Sequence, residues 1–168
     1  MKELDSAGVE LVNFQAEVFE KSVKRFSCSS PIFIRRYMLS KHTMLLGRDI
    51  SPFVPTLDSD EILDLIEEEY GESDYGATKY PKDVMSWIGY MYMYIVYTRQ
   101  VSIRRVYSLF PPNFMYENYY IWHSQSEEVA LDHFIEVNGY DKNVLDNEYL
   151  FKAYLKDKER VTKIIKGL

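Results

Sequence analysis

Residues 75–107 read YGATKYPKDVMSWIGYMYMYIVYTRQVSIRRVY. This stretch holds one tryptophan and seven tyrosines, and it has no charged residue between Val84 and Tyr97. A helix with so many rings and so little charge has to be buried, because it has no polar face to turn towards water. We therefore predict a central helix that begins at Pro81, ends near Arg99 and is covered by its own domain or by a partner.

The composition predicts one domain. The chain has 168 residues, of which 46% are hydrophobic and 27% charged, and this is enough to build one core. Seven glycines and six prolines are too few for an all-β sandwich rich in turns. The first residues lack the apolar core of a signal peptide, and the uncharged run 84–97 is shorter than the roughly 20 residues of a membrane span. We expect a cytoplasmic protein with a single helical domain over residues 1–168.

Apolar residues recur with helical spacing along the chain, and no segment alternates as a strand does. This pattern predicts an all-α, single-domain bundle around the central helix. Ser30 is predicted as the N-cap of a helix whose first residue is Pro31, and Ser124 with Glu127 as a capping box. The predicted helices cover residues 10–26, a segment opening at 30, 59–71 after a loop at 47–57, 81–99, 102–110, 113–122, 124–138 and a last segment from about 146.

Charge is unevenly distributed. Residues 58–74 contain nine acidic side chains and no lysine or arginine, and the run includes Glu67, Glu68 and Glu69. Such a run is either a solvated helix face or a docking surface for a basic partner, since complementary charge steers association. Residues 152–166 hold six basic and two acidic side chains. This tail is interpreted as a C-terminal helix whose lysines favour the negative end of the helix dipole, or as a nucleic-acid contact.

Two groups of neighbouring residues are candidates for binding. Arg35 and Arg36 are adjacent, so on a helix they point about 100° apart and cannot both face the core. One is expected to form a buried ion pair, and the other to meet solvent or a partner. Tyr75, Lys79 and Tyr80 lie in a loop that is either anchored by its tyrosines or used to contact a nucleotide or a partner.

No catalytic motif is present. His123 precedes a predicted helix start and is expected to lie at a pocket or on the surface. The three histidines have no H-x-x-x-H or H-E-x-x-H spacing, and Cys28 is the single cysteine, so neither a metal site nor a disulfide is predicted. Because Cys28 also has no base partner in the sequence, we predict no catalytic residue and no cofactor.

Four rings of the central helix recur at helical spacing, and we call them the aromatic stripe: Trp87, Tyr90, Tyr94 and Tyr97. The stripe is predicted to face the core rather than to form a ligand cage. Gly89 lies between these rings and costs helix stability, so it is expected to let another helix approach closely.

The central helix, the turn at 100–101 and the helix that opens at Ser102 also have the outline of a helix-turn-helix. Arg99, Arg104 and Arg105 would then supply phosphate contacts. The second helix is short, has no Asn or Gln for base edges and ends at two prolines. DNA binding by an autoregulator therefore stands only as an alternative.

Four segments carry a resemblance to a known family: FIRRYMLS, YGATKYPKDVMSWIGYMYMYIVYT, RRVYSLFPPNFMYENYYIWHS and SEEVALDHFIE. Over about residues 32–136 the chain resembles a family of small all-helical bacterial proteins that are often encoded beside a toxin-like protein related to ADP-ribosyltransferases and are labelled antitoxins. The family core often reads W-I-G-Y-x-Y-R-Y, whereas this chain has Met93 where that arginine falls.

The resemblance implies an antitoxin-like protein that binds and neutralises a partner toxin encoded nearby. A second hypothesis is a small enzyme, or a nucleotide- or ADP-ribose-binding protein, that reverses the modification made by a toxin. Its pocket would use Arg35 or Arg36 together with the residues Tyr75, Lys79, Tyr80 and His123. The partner-binding candidates under the first hypothesis are these same residues and the acidic Glu67, Glu68 and Glu69.

Overall fold

The computed structural model describes residues 1–48 and 57–165, without the side chains of the last two; most of the predicted loop at 47–57, and Lys166 of the basic tail, lie outside them. These residues form helices and no strand, and the all-α prediction is confirmed. The eight described helices are α1 (Ser6–Arg25), α2 (Ser30–Leu39), α3 (Ser59–Tyr70), α4 (Lys82–Arg99), α5 (Ile103–Leu109), α6 (Pro112–Trp122), α7 (Glu127–Val137) and α8 (Asn147–Ile165).

Helix α4 is the centre of the fold, as its sequence predicts. It packs most extensively against α1 and also touches α5, α6 and α7. The crossing with α1 is close at Gly89, where the backbone carbonyl accepts a buried hydrogen bond of 2.9 Å from the Gln15 side-chain amide. A Cβ atom at Gly89 would lie 2.6 Å from the Gln15 carbonyl oxygen and 2.9 Å from Cγ of Phe19. The helix that approaches this glycine is therefore α1.

A cluster of rings joins α1, α2 and α4. The ring centroid of Phe19 lies 5.5 Å from that of Phe33, 5.0 Å from that of Tyr37 and 6.3 Å from that of Tyr92, all in edge-to-face geometry. All four side chains are buried. The Tyr92 hydroxyl donates to the Phe110 carbonyl at 2.6 Å, whereas the Tyr37 hydroxyl has no hydrogen-bond partner among the described residues. Burial raises the pKa of both hydroxyls.

The core faces of α4 differ from the predicted aromatic stripe. The fully buried residues include Val84, Ile88, Tyr92 and Ile95, whereas Trp87, Tyr90 and Tyr94 are only half-buried at the edge of the core. Tyr97 alone of the stripe is buried, and its hydroxyl donates to Asp5 at 2.6 Å. The stripe prediction is therefore confirmed fully for Tyr97 and in part for the other three rings, which pack against the core from its edge and stay half-exposed.

Three predicted helix starts are corrected. Helix α1 begins at Ser6, earlier than residue 10, because Asp5 caps it and accepts a bond of 2.9 Å from the Gly8 amide. Helix α2 is capped by Ser29 rather than Ser30.

Helix α7 is capped by Ser126, so the predicted capping box of Ser124 and Glu127 is wrong. Ser124 lies in the turn that follows α6, where the Gln125 amide still bonds to the Trp122 carbonyl at 3.0 Å. The capping box of this chain lies instead at the start of α3, between Asp58 and Glu61.

Substituting Gly89 by alanine should destabilise the fold, although alanine is the better helix former by about 1 kcal/mol. The added methyl group meets backbone of α1, which cannot move aside as a flexible side chain can, and overpacking of this kind costs about 1–3 kcal/mol. Chemical denaturation measures the change in the free energy of unfolding. Ser86→Ala, a half-buried change on the same helix, is the control and should cost little. A Gly89→Ala protein as stable as the parent would contradict the close crossing.

The two core tyrosines should respond in opposite directions to loss of the hydroxyl. Tyr37→Phe removes a buried hydroxyl without a partner and should leave stability unchanged or raise it by about 1 kcal/mol. Tyr92→Phe leaves the Phe110 carbonyl without its donor and should lower stability by about 1–3 kcal/mol. Both changes remove the same atom from the same ring type, so each serves as the control for the other in thermal or urea unfolding. Equal losses in the two variants would show that the hydroxyl environments do not differ.

Candidate functional site: interaction surfaces

Among the described helices, α8 carries the most exposed large apolar side chains. This helix of 19 residues is tied to the rest of the chain at its first turn, where the Asn147 side chain donates to the Gln100 carbonyl at 2.9 Å and Leu150 packs partly on the core. Residues 151–163 are all exposed. Their large apolar side chains remain accessible, with exposed fractions of 60% for Phe151, 61% for Tyr154, 41% for Leu155 and 47% for Val161.

Helix α8 is amphipathic although no described element covers it. Tyr154 and Val161 are seven residues apart and so lie on one face, and Phe151 borders them. Lys152, Lys156 and Lys163 lie on the opposite face by the same spacing, whereas Lys158 falls between Tyr154 and Phe151 on the apolar face. An apolar face opposite a basic one is typical of a helix that binds into a groove of another molecule. The sequence predicts the helix but not its exposure, since periodicity does not tell whether a partner helix exists.

The acidic segment is largely engaged within the chain. Arg25, in the last turn of α1, donates to Asp64 at 2.7 Å and to Glu67 at 2.5 Å, and Lys21 pairs with Asp60 at 2.7 Å. Both basic residues belong to the predicted first helix, yet neither was among the predicted site residues. The sequence signal for this contact was the basic end of the first helix, which has the opposite charge to the acidic helix and so indicates that the two can pair.

The other two acidic candidates differ from each other. Glu69 accepts a short hydrogen bond from the Ser40 hydroxyl and one of 3.2 Å from the Lys41 amide. Burial alone would raise the pKa of Glu69, but these two hydrogen bonds outweigh it, so the pKa lies below its usual value. Glu68 is exposed. Of Glu67, Glu68 and Glu69, only Glu68 therefore points away from the fold.

The loop residues predicted as binding candidates form hydrogen bonds with other parts of the chain. The Tyr75 carbonyl accepts a bond of 3.0 Å from the Ser29 amide, and Lys79 donates to the Phe26 carbonyl at 2.5 Å. The Tyr75 ring is exposed, whereas Tyr80 is buried. The Tyr80 hydroxyl donates to Asn113 at 2.9 Å, and burial raises its pKa to about 12. Lys79 thus fixes the segment against the end of α1, and Tyr80 fixes it against α6.

The arginine pair also differs from its prediction. Arg35 is exposed, and Arg36 donates to the carbonyl of Gly71 at 2.9 Å and lies 5.5 Å from the Tyr70 ring centroid. No buried ion pair forms at either residue within the described parts of the chain. The prediction of such a pair is wrong because α2 places Arg36 at the carboxyl end of α3. There a carbonyl oxygen, rather than a carboxylate, accepts its hydrogen bond.

His123 lies apart from the other predicted pocket residues. Its ring stacks on Tyr119 with centroids 4.5 Å apart, and its Nδ1 is 2.8 Å from the Tyr119 carbonyl oxygen. None of the hydrogen bonds, ion pairs or ring contacts described for His123 reaches Arg35, Arg36 or the loop of Tyr75 to Tyr80. Instead it lines a groove with Trp87 and Tyr90.

Two of the three arginines of the helix-turn-helix outline form contacts within the chain, whereas the Arg105 Nε is buried and has no hydrogen-bond partner among the described residues. Arg99 forms an ion pair with Glu128, and Arg104 donates to the Leu39 carbonyl at 2.9 Å. Helix α5, which would enter the groove of DNA, has only seven residues. Met93 is fully buried and contributes to the core.

Among residues 1–48 and 57–165, no three histidine, cysteine, aspartate or glutamate side chains come close enough together to hold a metal ion. None of the helices described in these ranges combines the length and apolar character needed to cross a bilayer. Comparison of the chain with protein-family models, curated proteins and solved structures finds no match.

The pairing of α1 with α3 should be electrostatic. Arg25→Gln should lower the thermal midpoint at low salt, and the difference from the parent should shrink at high salt because screening weakens the original pairs. Arg35→Gln removes an exposed arginine without an ion pair in the described structure and serves as the control, with little change at either salt concentration. A loss for Arg25→Gln that does not depend on salt would show that this residue acts by packing instead.

Proposed function

We propose that this chain is an antitoxin-like interaction protein that binds and neutralises a toxin-like partner encoded nearby, and that α8 is the element that binds the partner. The observation that carries the proposal is the exposed amphipathic face of α8. Its apolar side chains are Phe151, Tyr154, Leu155 and Val161, and within the described chain no element covers them.

Binding is the physical outcome that suits such a helix. An isolated helix of 19 residues is only marginally stable in water, because most helical stability in proteins comes from packing of the apolar face. Covering one large apolar side chain contributes about 1.5–3 kcal/mol. A groove that accepts α8 would therefore stabilise the helix and gain affinity from the same contacts, with the lysines of the opposite face left in water.

The identity of the partner rests on the resemblance. Members of the family that this chain resembles are often encoded beside a toxin-like protein related to ADP-ribosyltransferases. Neutralisation by a bound protein requires only that the active site of the toxin be blocked. We propose steric occlusion in the cytoplasm, with apolar anchors supplying the buried contact and charge setting the orientation.

The charged candidates support binding through α8 rather than through a phosphate site. Arg36, Lys79, Arg99 and Arg104 all form their hydrogen bonds within the chain. A nucleotide site or a DNA contact built on these four side chains would require their hydrogen bonds to be released, whereas Arg35 is exposed. The apolar face of α8 requires no such rearrangement, because it is already accessible.

The test is co-expression of the chain with the adjacent gene product, scored by growth rescue and by co-purification. Tyr154→Ser with Val161→Ser should abolish both, since central aromatic anchors lost from an interface cost about 2 kcal/mol or more, roughly 30-fold in affinity. The thermal midpoint of the free protein should stay unchanged, because both side chains are exposed in it. Val137→Ser, an equally exposed change on α7, is the control.

Three results separate the hypotheses. Rescue with a complex that the α8 variant loses supports the proposal. Rescue without a complex points to an enzyme that reverses the toxin's modification. If the variant with the double substitution still rescues growth and still forms the complex, α8 is not the partner-binding element.

A further inference from the structure

A shallow groove of 670 Å³ lies between α1, α4, α6 and α7. Its rings are Trp87 and Tyr90 from α4, Tyr119 from α6, and His123 just after α6. The sequence singled out three of these four residues, but for other roles. No described residue of α8 lines the groove, so ligand binding there does not depend on the partner-binding role of that helix.

The rings are held in place from beneath. The Trp87 ring lies edge-on to Tyr119 with centroids 5.5 Å apart, and edge-on to the fully buried Phe134 at 6.3 Å. The Tyr119 hydroxyl donates to Asp83 at 2.9 Å. A ring fixed on one side by the core and open on the other presents a rigid π-face to a ligand.

The polar groups of the groove are mostly acceptors. Glu20, Asp83 and Glu127 line it, and Lys82 is the one cationic side chain among its described lining residues. The carbonyl of Tyr119 can only accept, so the His123 Nδ1 that faces it is the donor of this hydrogen bond. Three carboxylates against one ammonium give the groove a negative balance.

Tyr90 and Glu127 line the groove together. Burial raises the pKa of Tyr90, and the charge of Glu127 acts in the same direction. The Tyr90 ring is half-buried, so part of it stays open to the groove. Flat π-faces with carboxylates at their edges match a cation that is itself flat and rich in donors.

We propose that this groove binds an arginine side chain of a protein partner. The guanidinium group is planar, stacks on tryptophan and tyrosine faces, and carries five N–H donors that suit the carboxylates of Asp83 and Glu127. A lysine ammonium offers no flat face for stacking and is more strongly hydrated, so it fits the rings less well. In this groove the flat face of the guanidinium group would stack on the rings, and its N–H donors would pair with a carboxylate.

The experiment titrates the full-length protein with the peptide acetyl-Gly-Arg-Gly-amide and with its citrulline and lysine analogues. Citrulline keeps the shape of arginine and removes the charge. The two tryptophan indole N–H signals are followed by NMR and assigned with a Trp87→Phe variant. Arginine peptide should shift the Trp87 signal and leave that of Trp122 in place, with affinity at least about fivefold above that of either analogue and weakened by salt.

Matched variants locate the site. Glu127→Gln should lower the affinity for the arginine peptide about fivefold, whereas Glu117→Gln, which removes an exposed carboxylate of α6 outside the groove, should not change it. Glu127 is only a lining residue, so its variant remains testable even if a substitution at Trp87 fails to fold. Equal affinity of the arginine and citrulline peptides, equal affinity of the lysine peptide, or no shift at millimolar arginine peptide would each overturn the proposal. The α8 variants of the co-expression test should bind the arginine peptide as the parent does.

Discussion

The fold depends on the close crossing of α1 and α4. Because Gly89 has no side chain, the two helices approach closely at this position. The Gly89 carbonyl accepts a buried hydrogen bond from the side-chain amide of Gln15. Neither group can take water as its partner without parting the helices, so the contact fixes how far apart they lie. Phe19, next to the same glycine, then carries the ring cluster that joins α2 to the pair. The remaining helices pack around a distance that this one position sets.

Most of the charge that looks available in the sequence is used to hold the fold together. The acidic α3 is bound to the basic end of α1, Arg36 reaches the end of α3, and Lys79 fastens the segment that precedes α4. Charged side chains that bind neighbouring helices are poor candidates for a partner, because releasing them costs the contacts they make. The free recognition chemistry of this chain is therefore apolar and aromatic, on α8 and in the groove beside Trp87.

These two surfaces differ in what they offer. Helix α8 presents flexible apolar anchors with lysines behind them, and it gains stability when it is covered. The groove presents the Trp87 ring, which packs against Phe134, and the Asp83 carboxylate, which accepts a hydrogen bond from Tyr119, so a ligand there would lose little entropy to ordering of these two groups. As we propose them, one surface would insert into a partner and the other would receive a side chain, so a single partner would be able to bind both.

The sequence by itself determined the all-α class, the central helix and most helix ends, because periodicity, prolines and the glycine at 71 act within a few residues of where they stand. It also predicted that Gly89 marks a close approach. Only the tertiary structure decided which rings of α4 are buried, which arginine meets which acceptor, and that no described element covers residues 151–163 of α8. Those outcomes depend on which helices become neighbours, and contacts between residues 40 or more positions apart leave no local trace in the chain.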